Sequence, residues 1–123
     1  MLNQDSKVLT MLAGPSEVVY YQMMPAFQTD TRFTVATIVT DWASFEKNLE
    51  QLRPALLIVQ AEIAPSPETL IAVMARMQIW NGVAIVTLQQ AHGEFRGALE
   101  SAAVVRGVYT LPVNWGELIQ TGY

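Results

Sequence analysis

The feature that most limits what this chain can fold into is a regular alternation of short apolar runs with longer amphipathic segments, five of each. Val8-Leu9-Thr10-Met11-Leu12-Ala13 is the first run, closed by Gly14-Pro15, and its length and punctuation predict a buried strand. The β-branched stretch from Phe33 to Val39 predicts a second. Leu56-Leu57-Ile58-Val59 has no polar interruption, as expected of a central parallel strand covered on both faces. Val83 to Leu88 predicts a fourth strand, and Val108-Tyr109-Thr110-Leu111 a fifth that Pro112 stops.

Helical spacing fills the intervals. Ser16 is expected to cap a helix carrying Val19, Met23 and Phe27, with a kink or an early stop at Pro25. Asp41 is expected to cap the clearest helix, where Trp42, Phe45, Leu49 and Leu52 draw one stripe opposite Glu46, Lys47 and Glu50. Arg53-Pro54 ends it. Ser66-Pro67 opens a third helix, lined by Leu70, Val73, Met74 and Met77 and broken at Asn81-Gly82. A fourth is expected over 94–103, burying Phe95, Ala98, Leu99 and Ala102, and Trp115 to Ile119 begins a fifth.

Strands alternating with helices in this way predict an α/β fold: a doubly wound, parallel, five-stranded sheet of (βα)5 type. Ligand chemistry in such a sheet belongs in the crevice at the carboxyl ends of the strands. Those ends are Ala13-Gly14, Gln60-Ala61-Glu62, Thr87-Leu88 and Leu111-Pro112.

Composition narrows the classes further. The 123 residues suit one domain, 1–123, and 51% hydrophobic content against 15% charged supplies a core. With no cysteine, disulfides, thiolate metal sites and cysteine nucleophiles are excluded. A net charge of -4 and seven scattered basic residues argue against nucleic acid. The polar start, Met1 to Lys7, lacks a signal-peptide layout, and no apolar run approaches the ~20 residues of a membrane span. A cytoplasmic address is expected.

At its strand ends the sequence resembles the receiver domain of two-component signalling, along nearly its whole length. Arg53 to Gln60 is similar to the stretch that leads to the family's phospho-acceptor aspartate. Val83 to Thr87 is similar to the strand that ends in a hydroxyl residue, and Ala98 to Ala103 with Val108 to Pro112 resembles the passage before the Lys-Pro pair. The resemblance implies a flavodoxin/CheY-like sheet of strand order 2-1-3-4-5. It also implies where active groups would stand. The Mg²⁺-holding acidic pair falls at Ala13 and Gly14, the acceptor at Gln60, the hydroxyl at Thr87 and the lysine at Leu111, beside a matching Pro112.

Only the threonine survives. Magnesium needs carboxylate and water oxygens, which alanine and glycine do not supply. An amide is a poor nucleophile, and Leu111 removes a cation that would steady phosphoryl oxygens. The expectation is a pseudo-receiver: no catalytic residue, no metal, no cofactor, and a role in protein–protein contact. Such domains resemble the N-terminal part of pilus-assembly proteins of the CpaE/TadZ type, which implies a fragment of a longer protein with a ParA/MinD-like ATPase beyond it and a part in polar localisation. Two alternatives stay open: a small flavin- or nucleotide-binding protein of the same architecture, and a phosphorylatable receiver.

Other residues invite two readings each. Gly14-Pro15-Ser16 could cradle an anion or simply join strand to helix. Glu17 and Glu62 could attract a cation or stand solvated. His92, the single histidine, has no partner at catalytic spacing. Tyr20, Tyr21, Met23 and Met24 exceed what one core stripe can bury, so some belong either at a surface contact or in a distorted helix. The same holds for Val104, Val105, Tyr109 and Trp115, which the resemblance puts on the helix 4–strand 5–helix 5 dimer face; that face is the expected homodimer contact.

Overall fold

The computed structural model describes residues 7–89 and 93–122. Val8–Ala13 forms β1, Phe33–Val39 β2, Leu56–Gln60 β3, Val83–Leu88 β4 and Val105–Thr110 β5. All pair in parallel, in the order β2-β1-β3-β4-β5. Strand order reverses between β1 and β3, which opens a crevice at their carboxyl ends. β3 is buried at every position, as its unbroken apolar run requires.

Helices cover both faces. Residues 16–28 form α1, Trp42–Leu52 α2, Pro67–Met74 α3, Gly93–Glu100 α4 and Trp115–Gly122 α5. One core cluster joins the sheet to α2, α3 and α4 through Phe45, Leu49, Leu70, Val73, Met74 and Leu99. The other joins it to α1 and α5 through Val19, Met23, Phe27, Leu118 and Ile119.

The expected caps at Asp41 and Ser66 form. Asp41 accepts from Ser44 N–H at 2.9 Å, and Ser66 Oγ accepts from Thr69 N–H at 3.1 Å. Arg53 closes α2 in the left-handed conformation, as Asn81 does for the Ala75–Trp80 3₁₀ turn that extends α3. Arg76 on that turn donates to Glu46 and Glu50 of α2, tying the two helices together.

Four expectations need correcting. Ser16 is not the cap of α1: Pro15 stands in that position, with no side-chain cap bond. Of the two outcomes expected at Pro25, the early stop does not occur. Val19–Met23 winds as a π segment, with Met24 N–H bonding Val19 O, and α-helix resumes through Gln28. Proline lacks an N–H and crowds the carbonyl one turn back; a wider turn relieves that crowding. Next, α4 stops at Glu100, short of the expected 103, and Ala98 and Ala102 are half-buried while Leu99 is buried. Finally, β5 begins three residues early, at Val105. Arg106 and Gly107 hide its start, because an edge strand needs no continuous apolar run. The fifth helix begins at Trp115, as expected, and runs to Gly122. His92 lies outside the described residues and Phe95 outside the described side chains.

Candidate functional site

Parallel pairing brings the ends of β1, β3, β4 and β5 side by side. Gln60 registers with Thr87, and Thr87 with Tyr109. Gln60 follows Ile58 by two residues, so it faces the α1–α5 side, as Thr87 does after Ile85. Gln60 is 1% exposed and Thr87 fully buried. Among the described residues, neither Gln60 Oε1 nor Thr87 Oγ1 has a hydrogen-bond partner.

Ala13 is buried in the first core cluster, at the last position of β1. Gly14 follows, its N–H donating to Val39 O at 3.1 Å. A Cβ there would sit 3.2 Å from Gln60 Cβ and 3.6 Å from both Met23 Cε and Val19 Cγ2. Glycine is therefore what allows α1 and β3 to close over this end of β1. Leu111 extends the β5 ladder by one bond, its N–H donating to Leu88 O at 2.8 Å, and Pro112 stands exposed beside it.

These ends border an open cleft of ≈ 420 Å³. Its walls are Pro15, Val18, Leu111 and Pro112. The polar lining is three amides, Gln22, Gln60 and Gln89, with the exposed carboxylate of Glu17. Glu62 lies close by but is engaged. Gln89 N–H donates to its two carboxylate oxygens at 3.2 and 3.1 Å, linking the loops after β3 and β4.

The structure thus brings together Ala13, Gly14, Gln60, Thr87, Leu111 and Pro112, the six positions where the resemblance locates a receiver's phosphorylation chemistry. No carboxylate stands at residues 13 and 14, none at residue 60 and no amine at residue 111. Sequence reasoning missed Gln22, Val18 and Gln89 as cleft residues. The spacing of Val18 and Gln22 on one helix was the available signal; Gln89 lay one residue past a strand end and had none.

The late face differs from its expected form. Val104 is 4% exposed and packs in the first core cluster, which leaves it no surface for a partner. Val105 packs against the same cluster, Tyr109 and Trp115 against the other. Tyr109 lies across Gly107 and shares a 2.8 Å hydrogen bond with Thr121 Oγ1. Arg96 covers the adjoining edge, donating to Val108 O at 2.7 Å and Thr110 Oγ1 at 3.1 Å. Among the described residues, the exposed aromatics stand elsewhere: Tyr20 at 50% and Tyr21 at 79%, both on α1. Met23 is buried and Met24 half-buried.

Solved structures that resemble this architecture are response-regulator receiver domains. The signal receiver domain of the response regulator NarL from Mycobacterium tuberculosis superposes with a TM-score of 0.75 at 11% identity, over 94% of this chain and 92% of that one. The isolated receiver domain of RcsB from Salmonella enterica serovar Typhimurium, with the phosphomimetic BeF3-, gives 0.78 at 15%, over 93% and 84%. The signal receiver domain of a modulated diguanylate cyclase from Desulfovibrio desulfuricans G20 gives 0.76 at 13%, over 94% and 90%. This chain has the CheY-like receiver fold. No protein-family model matches the sequence, and no curated protein matches it. Among the described residues, no helix is long and apolar enough to cross a membrane.

Proposed function

We propose that this chain is a receiver-like module that makes protein contacts without being phosphorylated and without catalysing a reaction of its own. One observation carries the reading: a buried amide, Gln60, stands where the resemblance puts the acceptor carboxylate, and a Cβ added at Gly14 would come within 3.2 Å of its Cβ. A carboxylate in that setting would need charge partners, and Ala13, Gly14 and Leu111 provide none. The test is incubation with a small phosphodonor and Mg²⁺ followed by intact-mass measurement. An unchanged mass is expected; a single phosphoryl adduct would restore the phosphorylatable receiver.

The proposed contact is a homodimer. The α4–β5–α5 face expected from the sequence retains Val105, Tyr109 and Trp115 only as half-buried residues, so the proposed contact moves to Tyr20 and Tyr21 on α1. Exposed tyrosines are favoured at interfaces because they bury much area with little conformational freedom to lose. Light scattering on the intact chain should give twice the monomer mass, falling to the monomer in Tyr20→Ser/Tyr21→Ser. A dimer unaffected by that pair but broken by Val105→Asp would return the contact to the late face.

A place in pilus assembly, within a longer cytoplasmic protein of the CpaE/TadZ type, rests on the resemblance drawn from the sequence. The residues encoded after position 123 test it. A glycine-lysine phosphate loop supports a ParA/MinD-like ATPase there, and a DNA-binding or kinase module overturns it.

A further inference from the structure

The strand-end cleft has a chemical bias that the receiver comparison does not explain. Among the described residues, every polar side chain lining it is an amide or a carboxylate: Gln22, Gln60, Gln89 and Glu17. None is basic, so an anionic phosphate or nucleotide tail would meet a carboxylate and no compensating cation. Gln60 lines the cleft while only 1% exposed, and its buried Oε1 has no hydrogen-bond partner among the described residues. Such an acceptor is satisfied by an incoming donor, and a charged donor makes the stronger bond.

The rest of the lining selects the shape of that donor. Val18, Leu111 and the two prolines give the cleft apolar walls, which suit the face of a flat group. A compact ammonium is strongly hydrated and loses much on entering apolar surroundings. Guanidinium and amidinium groups are planar, delocalised and weakly hydrated, with all donors on the edge. The volume of ≈ 420 Å³ accommodates one with a small substituent.

We propose that this cleft binds a small planar guanidinium or amidinium cation, its N–H edge donating to Gln60 Oε1 and its charge facing the Glu17 carboxylate. This goes beyond the interaction-module reading and holds or fails independently of it.

The test is a titration of the ¹⁵N-labelled chain with benzamidine, following the backbone amides of Gly14, Gln60, Glu62 and Gln89. Benzamide, of the same outline but uncharged, and inorganic phosphate are titrated in parallel. Saturable shifts confined to the strand ends are expected with benzamidine, with benzamide weaker by about tenfold. Gln60→Leu should weaken benzamidine by about tenfold as well. Glu17→Gln, at an exposed site where folding is not at risk, should weaken it by about threefold. The proposal is overturned by an absence of saturable shifts with benzamidine, by equal affinity for benzamide, by phosphate binding more tightly at the same amides, or by unchanged affinity in both variants.

Discussion

The two ends of the sheet treat their polar groups differently. At the amino end, where the strands begin, Trp80, Arg53 and Arg32 are all engaged. Trp80 Nε1 donates to Pro54 O at 2.8 Å beneath Gly82, and Arg53 lies over the Trp80 ring at 5.5 Å. Arg32, just before β2, donates to both carboxylate oxygens of Asp30 and to Gln120 on α5. At the carboxyl end, Gln60 Oε1 and Thr87 Oγ1 are buried without a partner among the described residues. An unmatched buried polar atom costs about 1–3 kcal/mol, so the carboxyl end retains groups that stability alone would remove. Groups of that kind collect where a site is, or descends from one, that does chemistry or binding.

If this contrast is real, substitutions at the two ends should have opposite signs. The largest effect is expected at the amino end. A Cβ on Gly82 would stand 2.7 Å from Pro54 O and 2.9 Å from Trp80 Nε1, so Gly82→Ala should destabilise by about 3 kcal/mol in urea unfolding. A loss under about 1 kcal/mol would mean that this end yields more easily than its contacts suggest. Trp80→Phe keeps much of the ring but orphans Pro54 O, and should cost about 2 kcal/mol by the same measurement.

At the carboxyl end the sign reverses. Thr87→Val replaces an unmatched hydroxyl by a methyl of similar shape and should stabilise by about 1 kcal/mol, seen as a higher melting temperature. A destabilisation there would show that the hydroxyl is well solvated and erase the contrast.

The smallest effect depends on pH. Hydrogen bonds from the Arg32 guanidinium hold the Asp30 carboxyl below its ordinary value. Its stabilising contribution is therefore present above the unfolded carboxyl's pKa and fades as pH falls through the lowered folded value. Asp30 is partly exposed, so Asp30→Asn should cost only about 0.5 kcal/mol at neutral pH. The difference from wild type should shrink in acid.

Much of the fold was legible because particular signals agreed. In α2, the Asp41 cap, the Trp42-Phe45-Leu49 stripe and the Arg53-Pro54 stop all pointed to one helix with those bounds. β5 was legible only in its second half, since Arg106 and Gly107 suit an edge but break an apolar run. The strand-end positions could be read from spacing, as Gln60 closes β3 and Thr87 stands one residue before the end of β4. Their isolation could not, because it depends on what α1 and the neighbouring strands bring to them in space. Val104 failed for a related reason: a valine after a helix looks the same in sequence whether it turns outward or, as here, into the core.

The π segment of α1 has a consequence for how its inward residues line up. Val19, Met23 and Phe27 recur every four residues, and in an unbroken α-helix each such step overshoots a full revolution by about 40°. Two steps would carry Phe27 well away from Val19. A stretch wound more loosely undershoots instead and cancels most of that drift, so all three reach the same cluster. Removing a single residue between 19 and 24 would tighten the coil and swing one half of the helix away from the sheet.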